Sequence, residues 1–314
     1  VDTRKKLGII TPCYNEEAGI AECYLRVREV MATMLPQYDY EHLFIDNCSK
    51  DGTVAVLRTI AAGDKRVRII VNSRNFGPGR SPYHGIVTVG GDAVIPIFAD
   101  LQTPPELMVE LTARWEEGFK IVPAIRKDVK QAWSTRIMRA IFYKIFSRLS
   151  NVEYIPHFFG FGLYDRQVID LMRSLDEPDP YFRGLVAEVG FDKAVVEYIE
   201  PARKHGKTRH SFFDLLDMAI IGMTTYSRAP LRLLTIVSIV VALLSFTAGF
   251  IYLVLKLIFW SSFEAGVAPI LIGALFFAAV QMLAIGLVGE YVGLVLLYAR
   301  RFPSVVEKER INFD

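Results

Sequence analysis

The chain has 314 residues, 52% of them hydrophobic and 22% charged, with a mean hydropathy of +0.29. That length suits about two domains of ~150 residues, and the composition excludes a disordered or collagen-like chain. Lys+Arg 36 against Asp+Glu 34 leaves a net charge of +2, so no global basic field exists for nucleic acid and an anionic partner must meet a local patch.

Val1-Asp-Thr-Arg-Lys-Lys6 enters a strand-like run without a signal-peptide pattern. Leu7 to Thr11 predicts a strand stopped by Pro12, and Glu16 to Met34 has helical periodicity. His42 to Ile45 predicts a second strand, the turn-rich Asp46 to Gly52 follows, and Thr53 to Ala62 reads as a helix. Val67 to Val71 and Ala93 to Phe98 predict a third and a fourth strand. Strands alternating with helices imply an α/β domain, a mostly parallel sheet with helices on both faces, over residues 1–210. Ligands of such sheets bind beyond the carboxyl ends of the strands. This singles out Pro12 to Glu17, Asp46 to Thr53, Ser73 to Gly79 and Ala99 to Glu106, whose polar residues predict a cleft at that edge.

Several chemistries drop out. No G-x-G-x-x-G follows the first strand, and neither a P-loop nor a G-x-S-x-G elbow occurs. His42, His84, His157, His205 and His210 are scattered without metal-ligand spacing and read as structural or surface residues. Cys13, Cys23 and Cys48 form neither a disulfide framework nor a zinc pattern, as expected of small residues in a reducing compartment.

Residues 211–230 carry Phe212, Leu215, Leu216, Ala219, Ile220 and Met223 at helical spacing, which predicts a helix lying in a membrane interface or packed on the soluble domain. Residues 231–299 follow. Leu233 to Leu255 and Val267 to Gly289 contain no charge, and the second run extends to about residue 299. At ~1.5 Å per residue each crosses a hydrocarbon core of about 30 Å, which predicts a two-helix transmembrane hairpin with Trp260 and Phe263 in the turn. Arg228 and Arg232 before it, and Arg300 and Arg301 after it, place the large domain, both termini and a basic tail at 300–314 in the cytoplasm. Gly273, Ala274, Ala278 and Gly286 permit close helix packing, hence a homo-oligomer. Glu290, at the end of the second run, is expected to face protein or head groups, with Arg300 or Arg301 as partner.

Three strand-end segments are specific in combination: Pro12-Cys-Tyr-Asn-Glu16, Asp46-Asn-Cys-Ser-Lys-Asp-Gly-Thr53 and Asp100-Leu-Gln-Thr-Pro-Pro-Glu106. With Arg74-Asn-Phe-Gly77, Arg126-Lys127 and Arg203-Lys-His-Gly-Lys-Thr-Arg209, they resemble family 2 glycosyltransferases. The closer resemblance is to the polyisoprenyl-phosphate glycosyltransferases, and the two-span hairpin is similar to the bactoprenol branch. The resemblance implies a GT-A type nucleotide-sugar-binding domain in a bacterial inner or plasma membrane. It also implies an inverting transfer of a sugar, glucose first, from a UDP-sugar to undecaprenyl or another polyprenyl phosphate, for use in a cell-surface glycan.

It further implies that Pro12, Tyr14, Glu16 and Asp46 contact uracil and ribose, while a turn-forming role for Asp46 stays open. Asp100 and Gln102 match the metal end of the family's Asp-x-Asp-x-Gln pattern, which implies Mg²⁺ or Mn²⁺ at the diphosphate. The first Asp of that pattern is Phe98 here. Arg126 is implied at the donor phosphates, and Arg203, Lys207 and Arg209 at the acceptor phosphate, with anionic head groups as the milder alternative. Asp100, Arg126 and Arg203 are thereby the expected catalytic residues.

A second departure is Phe159-Gly-Phe-Gly-Leu163, where many relatives carry Gly-Asp-Phe-Arg-Leu. A sugar-hydroxyl acceptor would need a base there. A phosphate monoester, with a second pKa near ~6, does not. His157 and Glu188 remain acceptor-side candidates. The rivals are the same reaction with mannose, N-acetylglucosamine or aminoarabinose, and a membrane scaffold inactivated at Phe98. A processive synthase is disfavoured because no Gln-x-x-Arg-Trp occurs.

Overall fold

The computed structural model describes residues 4–127, 155, 158–175, 177–199, 229–259, 267–299 and 302–313, and the chain divides into two compact units. The first begins with β1 (Lys6–Cys13), α1 (Ile20–Thr33), β2 (Asp39–Asp46), α2 (Thr53–Gly63), β3 (Val67–Asn72) and α3 (Gly77–Thr88). It continues with β4 (Ala93–Pro96), α4 (Leu107–Glu116), β5 (Ile121–Arg126), β6 (Phe158–Asp165), α5 (Arg166–Leu175), α6 (Phe182–Glu188) and β7 (Val196–Tyr198). The second unit contributes α7 (Ala229–Ile258) and α8 (Val267–Ala299), after which the chain returns to the first unit as β8 (Glu307–Ile311).

The strands form one sheet in the order β7-β5-β6-β4-β1-β2-β3-β8. β4, β1, β2 and β3 make a parallel block, and β5 and β7 run the same way. Only β6 and β8 are antiparallel to their neighbours among the described residues. The expected mostly parallel α/β sheet is therefore the observed one.

Two apolar patterns place the helices. Ile20, Cys23, Tyr24, Val27, Val30 and Met31 form the buried stripe of α1, a spacing that fits 3.6 residues per turn. Cys23, Val27, Val30 and Met31 pack with Leu7, Ile9 and Ile95 of the sheet and with Met108, Leu111 and Trp115 of α4, whereas Ile20 and Tyr24 pack with Phe44, Leu57 and Ile69. On the opposite face, Gly85 lets α3 lie against the sheet, because a Cβ there would stand 2.3 Å from Ile10 Cδ1. Helices thus cover both faces.

β1 does not stop at Pro12, as the sequence predicts, but runs to Cys13. Ile10 O accepts from Ile97 N at 2.8 Å, so the backbone groups of even-numbered residues face β4. β4 ends opposite Ile10, and the missing N–H of Pro12 therefore forfeits no ladder bond. The segment Ser73 to Gly79 is only partly a loop, since α3 begins at Gly77. Residues 300–314 are not a tail: Glu307 to Ile311 pair with β3.

In the second unit α7 and α8 are 30 and 33 residues long and touch each other. Phe276–Ala299 is the stretch among the described residues long and apolar enough to cross a membrane, whereas the apolar part of α7, Ile236–Ala248, is shorter. Leu243, Leu244 and Phe246 of α7, and Met282 and Ile285 of α8, are exposed, the reverse of a soluble core helix and the expected state of side chains solvated by lipid. The predicted interfacial helix in 211–230 lies outside the described residues.

Candidate active site

The carboxyl ends of β1, β2, β3, β4, β5 and β7 share one edge, together with the amino ends of β6 and β8. There the loops after β1 and β2 are laced together. Asn15 N donates to Ser49 Oγ at 2.8 Å, Lys50 N to Asn15 Oδ1 at 2.7 Å, and Glu16 N to Thr53 Oγ1 at 2.9 Å. Gly52 N donates to Glu17 Oε2 at 2.9 Å. Asn15, Cys48 and Leu101, in the loops after β1, β2 and β4, have φ of 55°, 63° and 55°. Each left-handed non-glycine residue costs about 1 kcal/mol, and such strain gathers where a fold shapes a ligand site.

Pro12, Tyr14 and Glu16 are half-buried along the first of these loops. Asp46, at the end of β2, is fully buried. Its Oδ2 accepts from Ser49 N at 2.9 Å and its Oδ1 from the Ser49 hydroxyl. Burial pushes its pKa up, and the Ser49 donors hold the rise back. The turn-forming role left open by the sequence is thus present in the structure.

Asn47 is the residue that sequence reasoning passed over. Its Nδ2 donates to Asn75 Oδ1 at 2.9 Å and to Gly77 O at 3.1 Å, and its Oδ1 accepts from Phe76 N at 2.9 Å. Asn72 Nδ2, 3.3 Å from Asn47 Oδ1, also donates to Ser81 Oγ at 2.9 Å. One buried amide therefore fixes the path of Arg74-Asn-Phe-Gly77. The signal available in the sequence was the run of amides at 47, 72 and 75.

Asp100 and Gln102 lie half-buried beyond β4, and Asp100 Oδ1 accepts from Gln102 N at 3.1 Å. Phe98, at the position of the missing acid, packs against the apolar core. Among the described residues no three His, Cys, Asp or Glu side chains are grouped as a ready cation cage. A carboxylate and an amide two residues apart are nonetheless hard oxygen donors. They fit a cation shared with substrate phosphates and water, which is how Mg²⁺ is commonly held.

Arg126 ends β5, two strands from β4 in the sheet. Its guanidinium lies 4.2 Å from the ring centroid of Phe159, which is 43% exposed at the start of β6. Gly160 has φ 97°, and a Cβ on Gly162 would stand 2.5 Å from Val122 O. The backbone here thus strains a side chain at position 160 and blocks one at position 162. Glu188 is exposed at the end of α6, while His157, Arg203, Lys207 and Arg209 lie outside the described residues. The edge therefore brings together Pro12, Tyr14, Glu16, Asp46, Asp100, Gln102 and Arg126.

Comparison with known proteins bears on this edge directly. Residues 8–171 match the family model described as glycosyl transferase family 2. The chain is 36% identical over 309 residues to an uncharacterized glycosyltransferase, YkcC, of Bacillus subtilis, covering 98% of this chain and 94% of that protein. It is 31% identical to a prophage bactoprenol glucosyl transferase homolog of Escherichia coli, covering 96% and 98%, and 32% identical to the bactoprenol glucosyl transferase of Shigella phage SfV, covering 96% and 98%. The chain belongs to glycosyl transferase family 2 and is similar to bactoprenol glucosyl transferases over nearly its whole length.

Proposed function

We propose that this chain is an inverting membrane glycosyltransferase that moves glucose from UDP-glucose to a polyprenyl phosphate such as undecaprenyl phosphate. The observation that carries the reading is the convergence of the laced β1 and β2 loops, Asp100 and Arg126 on one sheet edge. Similarity to named bactoprenol glucosyl transferases from end to end supports it.

In this mechanism Pro12, Tyr14 and Glu16 line the base and ribose pocket, and Asp46 acts with Ser49 by holding its rim. Asp100 and Gln102 would hold Mg²⁺ or Mn²⁺ at the diphosphate; when bound, such a cation supplies Lewis-acid stabilisation of the leaving group. Arg126 faces the donor phosphates, and Arg203, Lys207 and Arg209 receive the acceptor phosphate. The acceptor oxygen attacks the anomeric carbon as the bond to UDP breaks. A phosphate monoester arrives already mostly dianionic, which agrees with glycine, and so no base, at positions 160 and 162.

Two spans are supported by connectivity. β8 follows both long helices yet pairs with β3, so the segment between the two parts of the sheet must cross a bilayer an even number of times. α7, 30 residues and ~45 Å long, has the length for the second crossing. Arg228, Arg232, Arg300 and Arg301 then set the sheet on the cytoplasmic side.

The test is incubation of detergent-purified protein with radiolabelled nucleotide sugars, undecaprenyl phosphate and Mg²⁺ or Mn²⁺, counting label in the organic phase. The expected result is lipid labelling from UDP-glucose, abolished by EDTA and by Asp100→Ala. Labelling from another sugar would overturn the donor alone. No labelling from any donor, with UDP binding also absent, would favour an inactive scaffold marked by Phe98.

A further inference from the structure

Arg183 is absorbed by none of the roles above. It is the second residue of α6 and half-buried. Its neighbour Phe182 is anchored inward by edge contacts with the rings of Tyr164, at 5.0 Å, and Tyr83, at 6.5 Å. The Arg183 guanidinium lies 5.7 Å from the centroid of Phe159 and 5.4 Å from that of Tyr181. Among the described residues it has no carboxylate partner, because Asp179, the nearest acid in sequence, is paired with Arg80 at 2.9 Å. Aromatic faces steady a guanidinium without using its N–H donors.

Phe159 thus carries two cations, Arg126 and Arg183, at the edge that holds the loops of the site. It stands at the first position of the Phe159-Gly-Phe-Gly-Leu163 segment. A side chain is strained at Gly160 and blocked at Gly162, and Phe159 gathers arginines brought in from β5 and α6.

Resting on the polyprenyl-phosphate reading, we propose that Arg183, steadied by Phe159 and Tyr181 beside Arg126, is a further phosphate-binding residue of the transfer site. Its ligand is a phosphoryl group, supplied by the acceptor monoester or by the donor diphosphate. Two arginines on a shared ring suit an anion that needs several N–H donors and shielding of like charge during attack.

The test uses the full chain in detergent, comparing wild type with Arg183→Ala, Arg183→Lys and Phe159→Leu. Calorimetric titration with inorganic pyrophosphate and with UDP is set beside the KM of each substrate in the lipid-labelling assay. Loss of a charge-assisted hydrogen bond predicts a weakening of at least about tenfold in Arg183→Ala, smaller in Arg183→Lys, at an unchanged thermal midpoint. A rise confined to the KM for undecaprenyl phosphate identifies the acceptor as the source. Weaker UDP and pyrophosphate binding identifies the donor. Pyrophosphate and UDP affinities and both KM values all within twofold of wild type in the folded Arg183→Ala protein would overturn the proposal. Absence of wild-type lipid labelling would instead strike the parent reading; Arg183 would then stand on weaker pyrophosphate or UDP binding in Arg183→Ala and fall without it.

Discussion

Asn47 Nδ2 reaches Asn75 Oδ1 across 2.9 Å, so the loop after β2 holds the loop after β3 in place. Replacing Asn47 by Asp puts a carboxylate oxygen against Asn75 Oδ1 and Gly77 O, where two donated bonds stood. The expected cost is about 1–3 kcal/mol, read as a lower thermal midpoint together with weaker UDP binding. A variant as stable as wild type with unchanged UDP affinity would show that Asn47 does not govern the loop.

Gly162→Ala should destabilise the first unit, because the added Cβ meets Val122 O at 2.5 Å. Gly160→Ala must hold alanine at φ 97°, and overpacking or strain of these kinds costs about 1–3 kcal/mol. Restoring the related pattern with Gly160→Asp should therefore lower stability without raising the transfer rate. A faster Gly160→Asp enzyme would contradict the view that the acceptor needs no base.

Acid should destabilise the first unit through His42. The ring is fully buried, stacked 4.0 Å from Phe44 and 2.9 Å from Thr11 Oγ1. Burial pulls its pKa down to about 3, whereas the unfolded chain protonates it near ~6.5. The unfolded state thus binds the extra proton first. Stability is unaffected by this group above pH ~6.5 and falls below it, by up to ~1.4 kcal/mol per pH unit, until the folded pKa is reached. Thermal midpoints recorded from pH 7.5 to 5 should fall more steeply for wild type than for His42→Gln. Parallel slopes would refute the assignment.

Deleting residues from Val306 onward removes β8 and the acceptor of Ser73 N, which bonds to Val306 O at 2.9 Å. The ion pair of Arg58 with Glu309 and the hydrogen bond between His84 and Glu307 go with it. The truncated protein should still reach the membrane but show a lower midpoint and several-fold weaker UDP binding, because Ser73 leads directly into Arg74. Unchanged UDP affinity would confine β8 to a stabilising role.

The parallel block was legible because Leu7 to Thr11, His42 to Ile45 and Val67 to Val71 are apolar runs bounded by polar turns, and such runs fill strands buried on both faces. α3 was not, since Gly77, Pro78, Gly79 and Pro82 carry the signature of a loop; tertiary packing on Ile10 and Ile45 overrides it. β8 was hidden for another reason. Glu-Lys-Glu-Arg-Ile has little strand propensity, and it is held by Arg58, His84 and the edge of β3, all distant in sequence. In the site, Asp46 and Asp100 stood out as acids after strands, whereas Asn47 and Arg183 act through partners that only the folded chain brings near.

The pairing of β3 with β8 also imposes an order on biosynthesis. Arg58 and Glu309, joined across that edge, are separated by 251 positions. At ribosomal speeds of ~5–20 residues per second, the outer edge of β3 stays uncovered for roughly 10–50 s. During that time the two long helices α7 and α8, with the apolar stretch Phe276–Ala299, must emerge. An open strand edge is a template for pairing with other chains, so nascent copies crowded at one insertion site are most exposed to mispairing before their helices are in place. Slowing insertion should then lower the yield of folded enzyme even though every contact in the finished sheet is intact.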